Sequence, residues 1–212
     1  MTEKTSTKRS RGSRSEARRR HLLDQARQLF VERGFHQTGM AQIAAASGIA
    51  VGQIYRDFAN KEAIVAAICE ADVAAWLEEE SLAVAVERRD GDAIYMWIEQ
   101  VAMRVPSLED RRLMCEMVAE VGRNARISEI HRNAERRLHQ CLSAAIASLA
   151  PDVPQAQRDI VAEFIITLSW GIVTRVELST NVDPASFRAY VTNLITRELR
   201  AIGGDVRGPD QV

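Results

Sequence analysis

Within six residues, Val51, Gly52, Gln53, Tyr55 and Arg56 set out two short side chains, an amide, a phenol and a guanidinium. Such groups approach a duplex groove closely and either read base edges or hold phosphates. To act together they must lie on one short helix that a second helix presents. Residues 38–61, TGMAQIAAASGIAVGQIYRDFANK, contain what that pair needs. Thr38 is placed to cap the first helix through its hydroxyl. Met40, Ile43 and Ala44 recur at i, i+3 and i+4 and give it one buried face. Gly48 falls where the chain must turn, and lacks the Cβ that opposes left-handed backbone. Ile49 and Ile54 fill the angle between the helices, and Ala44 is small where they cross. This is the packing pattern of a helix-turn-helix, whose second helix enters a major groove. A plain αα-hairpin in a bundle shares it, so the rest of the chain must decide.

Charge supports the first reading. Residues 1–61 carry 12 Lys and Arg against 5 Asp and Glu, while residues 62–212 carry 16 against 24. A net charge of −1 therefore conceals a basic front end on an acidic body, the distribution a modular nucleic-acid binder needs. A chain of 212 residues can bury one large core or two smaller ones. Five prolines among many Ala, Leu, Glu and Arg residues favour an all-α fold. No uninterrupted apolar run approaches the roughly 18 residues of a membrane span, and no apolar segment follows the basic N-terminus as in a secretory signal. A cytoplasmic protein is expected. Cys69, Cys115 and Cys141 are odd in number and widely spaced, as expected of reduced thiols buried as small hydrophobes.

Along the chain, residues 1–14 contain little that packs and are expected to form a disordered basic arm. Ser13 and Glu16 have capping-box spacing, and a helix should follow to about residue 33, where Gly34 ends it. Asn60 should cap a long helix in which Ile64, Val65, Ile68, Val73, Trp76, Leu77 and Val84 recur without interruption.

Taken together, the LFVERGF ending of the first helix, the run AQIAAASGIAVGQIYRDFANKEAI and the long helix after it resemble the TetR family of bacterial transcriptional regulators. The likeness covers residues 15–70, with Phe30, Gly34-Phe35, Thr38, Ile43-Ala44, Gly48-Ile49, Ile54-Tyr55, Phe58 and Lys61-Glu62 as its most specific parts. It implies phosphate contacts from Thr38, Tyr55 and Lys61, with Arg56 and Gln42 as further DNA-facing residues. Ala50 and Val51 depart from the family, which commonly has a hydroxyl residue at the first position and a polar one at the second. Val51 and Gly52 are thus left to apolar or backbone contacts, and Gln53 becomes the base reader.

Five further helical patterns follow the long helix, separated by breaks near Pro106, Asn124, Pro151–Pro154 and Asp183-Pro184. About nine helices are expected: a three-helix DNA-binding domain over 15–60, a larger helical domain over 61–204 and a flexible tail over 205–212. The helix from about residue 155 is apolar around its girth, which with the last helix suits self-association. Phe164, Leu168, Gly171, Ile172, Phe187, Val191 and Leu194 are the expected dimer residues, and the resemblance places the dimer there too. It also implies a small-molecule effector among the intervening helices. Trp76, Trp97, Met103, Met114, Met117 and Glu120 are the expected lining, with the carboxylate favouring a cation.

Catalytic constellations are missing from the sequence. His131 and His139 stand about 12 Å apart along one helix, too far for one metal. There is no His-Glu-x-x-His, paired cysteines, phosphate-binding glycine loop or Gly-x-Ser-x-Gly elbow. The expectation is a dimeric repressor of palindromic DNA released by an effector, without metal, cofactor or enzymatic activity. A helical protein-interaction scaffold and an α-helical enzyme are the alternatives.

Overall fold

The computed structural model describes residues 4–175 and 181–203, which form ten helices and no strand. They are α1 Lys4–Arg33, α2 Met40–Ser47, α3 Val51–Asp57, α4 Lys61–Leu77 and α5 Glu79–Glu87, then α6 Gly91–Met103, α7 Leu108–Glu120, α8 Ala125–Leu149, α9 Gln155–Arg175 and α10 Pro184–Gly203. Because α4 and α5 abut at Glu78, counting them as one kinked element gives the nine expected.

Side-chain caps start several of these helices. Asn60 Oδ1 accepts from Ala63 N at 2.9 Å and Asp183 Oδ2 from Ser186 N at 2.8 Å, as the sequence implies. Asn124, which reads as an end signal, instead caps α8 by accepting from Ile127 N at 3.2 Å. Each oxygen satisfies an N–H that a first helical turn leaves without a partner.

Two boundaries differ from expectation. α1 continues back to Lys4 through most of the segment expected to be an arm, so Ser13 and Glu16 lie inside the helix and not at its start. A nucleated helix gains one hydrogen bond for each residue it adds, and Lys, Arg and Ser are little barrier to that. Residues 1–3 and the expected tail lie outside the described residues. The second difference is the break at Glu78, where φ is 44°. Trp97 Nε1 donates to the Leu77 carbonyl at 2.5 Å and Arg104 Nη1 to the Ala75 carbonyl at 2.9 Å. Side chains thus capture acceptors that a continuing helix would use, offsetting the ~1–2 kcal/mol of left-handed backbone at a residue with a Cβ.

The helices form two compact units. One runs to Asp72 and also takes in Leu108–His131; the other holds Val73–Ser107 and the chain from Arg132 onward. The first unit therefore reaches past the boundary near residue 60 that the sequence suggests. Its core joins Leu22, Phe30, Ile43, Ile54 and Ile64 to Leu113 and Met117 of α7 and Ile127 of α8. The second core gathers Leu77, Trp97, Ile98, Leu142, Ile146, Ile165 and Ile195. All three cysteines are free, but Cys115 is exposed, contrary to expectation, because the apolar stripe of α7 runs through Leu113 and Met117. Burial pushes the half-buried Cys69 and Cys141 thiols up to about 11, which keeps them protonated at neutral pH.

Candidate nucleic-acid interface

Between α1 and α2 the backbone is held from three sides. Gly34 leaves α1 at φ 80°, and Thr38 Oγ1 donates to the Gly34 carbonyl at 2.9 Å and the Leu29 carbonyl at 3.2 Å. Thr38 is only 1% exposed, and Gly39 is the N-cap of α2. The hydroxyl expected to cap α2 and meet a phosphate is instead spent closing the C-terminus of α1. Lys61 is turned onto the same segment: its Nζ donates to Phe35 O at 2.7 Å and Thr38 O at 3.2 Å, 4.1 Å from the Phe35 ring centroid. Here too the expected phosphate ligand is engaged within the fold. Gln42 Oε1 reaches back to accept from Gly39 N at 2.7 Å. From α7, Glu116 Oε2 accepts from Phe35 N at 3.4 Å, and Glu120 Oε1 meets His36 Nε2 at 2.8 Å.

On this base α2 and α3 cross, with Ile43 and Ile54 wholly buried. Gly48 makes the turn at φ 66°. Ser47, which the periodicity does not flag, is buried; its Oγ donates to Ile43 O at 2.8 Å, and its own carbonyl lies 3.2 Å from His21 Nε2. A hydroxyl residue directly before a turn glycine was the available signal. A Cβ at Gly48 would meet nothing within 4 Å, so Gly48→Ala should cost backbone strain alone. The expected loss is about 1–2 kcal/mol in urea denaturation of the full chain.

What remains outward is the face of α3. Val51, Gly52, Tyr55 and Arg56 are exposed and Gln53 is half-buried at its edge, so these five expected residues do come together. Positions 51, 52, 55 and 56 stand at i, i+1, i+4 and i+5, one side of a helix. Tyr55, at 53%, shows more of itself than a phenol placed for packing needs to. Arg14, Arg18, Arg19 and Arg20 of α1 are exposed as well, and the Arg19 guanidinium lies 4.8 Å from the Phe58 ring, just beyond α3.

The expected effector residues do not gather in one core. Met117 is buried in the first unit, Met114 is half-buried, and Glu120 is buried against His36. Trp97 and Met103 are buried in the second unit, where the half-buried Trp76 packs on the same core. The Trp76 indole N–H is buried and has no hydrogen-bond partner among the described residues. An open recess of about 390 Å³ lies elsewhere on that unit, lined by Met96, Glu99, Gln100, Arg104 and Arg188. Of the expected dimer residues, Phe164 and Phe187 are exposed and Leu168, Gly171, Ile172 and Leu194 half-buried. Val191 is buried in its own subunit's core, so it is not available for an interface. Ile160 and Tyr190, absent from the expected set, are the most exposed large apolar residues on α9 and α10.

A short helix with its outer face free, braced across a second helix by isoleucines and a left-handed glycine, has the geometry of a helix-turn-helix, and the profiles matched by the chain make it that of a regulator of transcription. Residues 22–68 match the profile of the bacterial regulatory proteins of the tetR family, and residues 96–200 match that of the BetI-type transcriptional repressor C-terminal region. The chain belongs to the TetR family of bacterial transcriptional regulators, a family of regulators and not of enzymes. It is 25% identical over 192 residues to the HTH-type transcriptional regulator UidR of Escherichia coli K12, covering 84% of this chain and 93% of UidR. Salmonella enterica GusR shares its fold with a TM-score of 0.62 at 23% identity, covering 88% of this chain and 95% of GusR. A Saccharomonospora viridis regulator, solved in complex with choline, does so with a TM-score of 0.65 at 20% identity, covering 86% and 96%. No helix among the described residues is long and apolar enough to cross a membrane.

Proposed function

We propose that the protein is a cytoplasmic repressor that binds a palindromic operator as a homodimer and leaves it when a small molecule binds the second unit. The observation that carries this reading is the free outer face of α3, with Val51, Gly52, Tyr55 and Arg56 exposed on a rigidly held helix pair. Each subunit would lay α3 in one major groove, with half-sites about one helical turn or a multiple apart. Tyr55 and Arg56 hold phosphates, Gln53 reads a base from the edge of the face, and Val51 and Gly52 permit close approach. Thr38, Lys61 and Gln42 support the reader through the segment they fasten. The ligand acts by binding more tightly to a conformation whose two reading heads are misspaced. Trp76, with an indole N–H left to donate, and Trp97 and Met103 beside it in the same core are the residues nearest to such a role.

Selection of the purified protein on a random duplex library at physiological salt tests this directly. Enrichment of a palindrome is expected. A folded dimer that enriches no sequence above background would leave the helix pair as scaffold. On the recovered operator, Tyr55→Ala and Arg56→Ala should each weaken binding to every sequence. Arg56→Ala should also reduce the log–log salt slope by about one. Gln53→Ala should relax preference at a single base.

A further inference from the structure

The chain passes from one unit to the other at three points: within α4 after Asp72, between Ser107 and Leu108, and within α8 after His131. Two of these passages carry an aspartate on the side of the DNA-binding unit. Asp72 ends its share of α4, and Asp110 lies in the first turn of α7. One side chain holds both. Arg27, six residues before the end of α1, donates through Nη1 to Asp110 Oδ1 at 2.5 Å and through Nη2 to Asp72 Oδ1. Its side chain is 19% exposed, whereas the two carboxylates are 42% and 40% exposed.

The same two helices are fastened at their other ends as well. α4 begins with Lys61 on the carbonyls of Phe35 and Thr38, and α7 ends with Glu120 on His36. Each is therefore pinned to α1 at one end and, at the other, to the segment that leads into α2. Arg27 is the residue that the two attachments to α1, through Asp72 and Asp110, share. It precedes Phe30 by three positions and Gly34 by seven, so it lies on the α1 face that leads to that segment.

We propose that Arg27 is the joint through which movement of α4 against α7 is converted into a change of the reading helices. This rests on the ligand-responsive reading above. A guanidinium is a planar fork of fixed width, so it satisfies two carboxylates only while their separation is preserved. When the helices separate, one bond is lost and α1 follows the other. Two discrete arrangements of the joint result, both acids held or only one, which is what a switch needs.

The test uses full-length protein carrying Arg27→Met, Asp72→Asn, Asp110→Asn or both asparagines, with Arg27→Lys as the conservative variant. Two quantities are read well below the melting transition: affinity for the selected palindrome, and amide hydrogen exchange in residues 34–39 and the first turn of α7. Arg27→Met should lower operator affinity about tenfold, within the range of typical allosteric couplings, and speed exchange in both segments. In that background the two asparagine changes should add nothing, although each acts alone. Arg27→Lys, a single point charge, should restore only part of the affinity. Unchanged exchange in Arg27→Met overturns the proposal, and so does faster exchange with unchanged operator affinity, since the cluster would then be structural only. If the wild-type protein enriches no duplex, the repressor reading fails, and exchange in Arg27→Met decides the joint by itself. Should Arg27→Met not fold, Asp110→Asn, which keeps the Asp72 contact, takes its place with the same two readouts.

Discussion

Changing Phe164 and Tyr190 together to aspartate is expected to make the protein sediment as a monomer and to lower operator affinity about 100-fold or more. On α9 and α10, Ile160, Phe164, Phe187 and Tyr190 are 69%, 37%, 41% and 68% exposed, while Val161, Ile165, Val191 and Ile195 of the same helices fill the subunit's own core. α9 thus has apolar residues on both sides, although one side already suffices for the fold. A Cβ placed on Gly171 would meet nothing within 4 Å, leaving room for a second backbone to approach. Two such hairpins facing each other across a two-fold axis would cover all four side chains. Each aspartate would then enter the interface twice, once from each subunit, and an unpaired buried carboxylate is strongly unfavourable. Operator affinity follows because the second half-site is bound at the high effective concentration that the first supplies. Sedimentation, circular dichroism and DNA titration of the same preparation check the chain of cause. A variant that remains dimeric would mean that this patch is ordinary surface.

How much of this was legible in the sequence depends on how far each residue reaches. Gly34, Gly48, Asn60 and Asp183 act within a few positions of themselves, and all four stand where their types imply. Ile54 follows from the angle between α2 and α3 that it fills, and Ile43 from periodicity, which reports that a face is buried. Periodicity does not report what covers it. Leu113 and Met117 make the same stripe whether α7 packs on the DNA-binding core or on the other one, so α7 was assigned to the effector half. Glu120 followed it, and its partner His36 lies 84 positions away. The break at Glu78 was hidden likewise, because the indole that takes the Leu77 carbonyl is 20 residues downstream. Thr38 shows the limit at shorter range. A threonine before a helix fits an N-cap, yet its hydroxyl turned back to the helix just ended, where two carbonyls waited. The exposed face of α3 was legible throughout, since a recognition surface is defined by what local packing leaves out.

Lys61→Met separates a phosphate contact from a fastening, and the two predict different numbers. If the ammonium mainly met DNA, the variant would keep its stability, lose roughly tenfold in affinity and show a salt slope smaller by about one. The structure instead points Nζ at Phe35 O and Thr38 O, over the face of the Phe35 ring. Charge-assisted hydrogen bonds contribute about 1.5–3 kcal/mol, and a half-buried cation over an aromatic ring about 0.5–2 kcal/mol more. Methionine retains the aliphatic stem and removes only the charge and donors, so cavity formation does not enter. The expected result is a loss of about 2–4 kcal/mol in urea denaturation, with the salt slope unchanged. Affinity should fall as well, because residues 34–39 lead directly into α2 and slackening them broadens the orientations of α3. Thr38→Val loosens the same segment without altering charge, and it should reproduce the affinity loss at a smaller cost in stability. A Lys61→Met protein as stable as wild type, with a reduced salt slope, would return Lys61 to the DNA backbone and leave residues 34–39 to be held by Thr38, Gln42, Glu116 and Glu120.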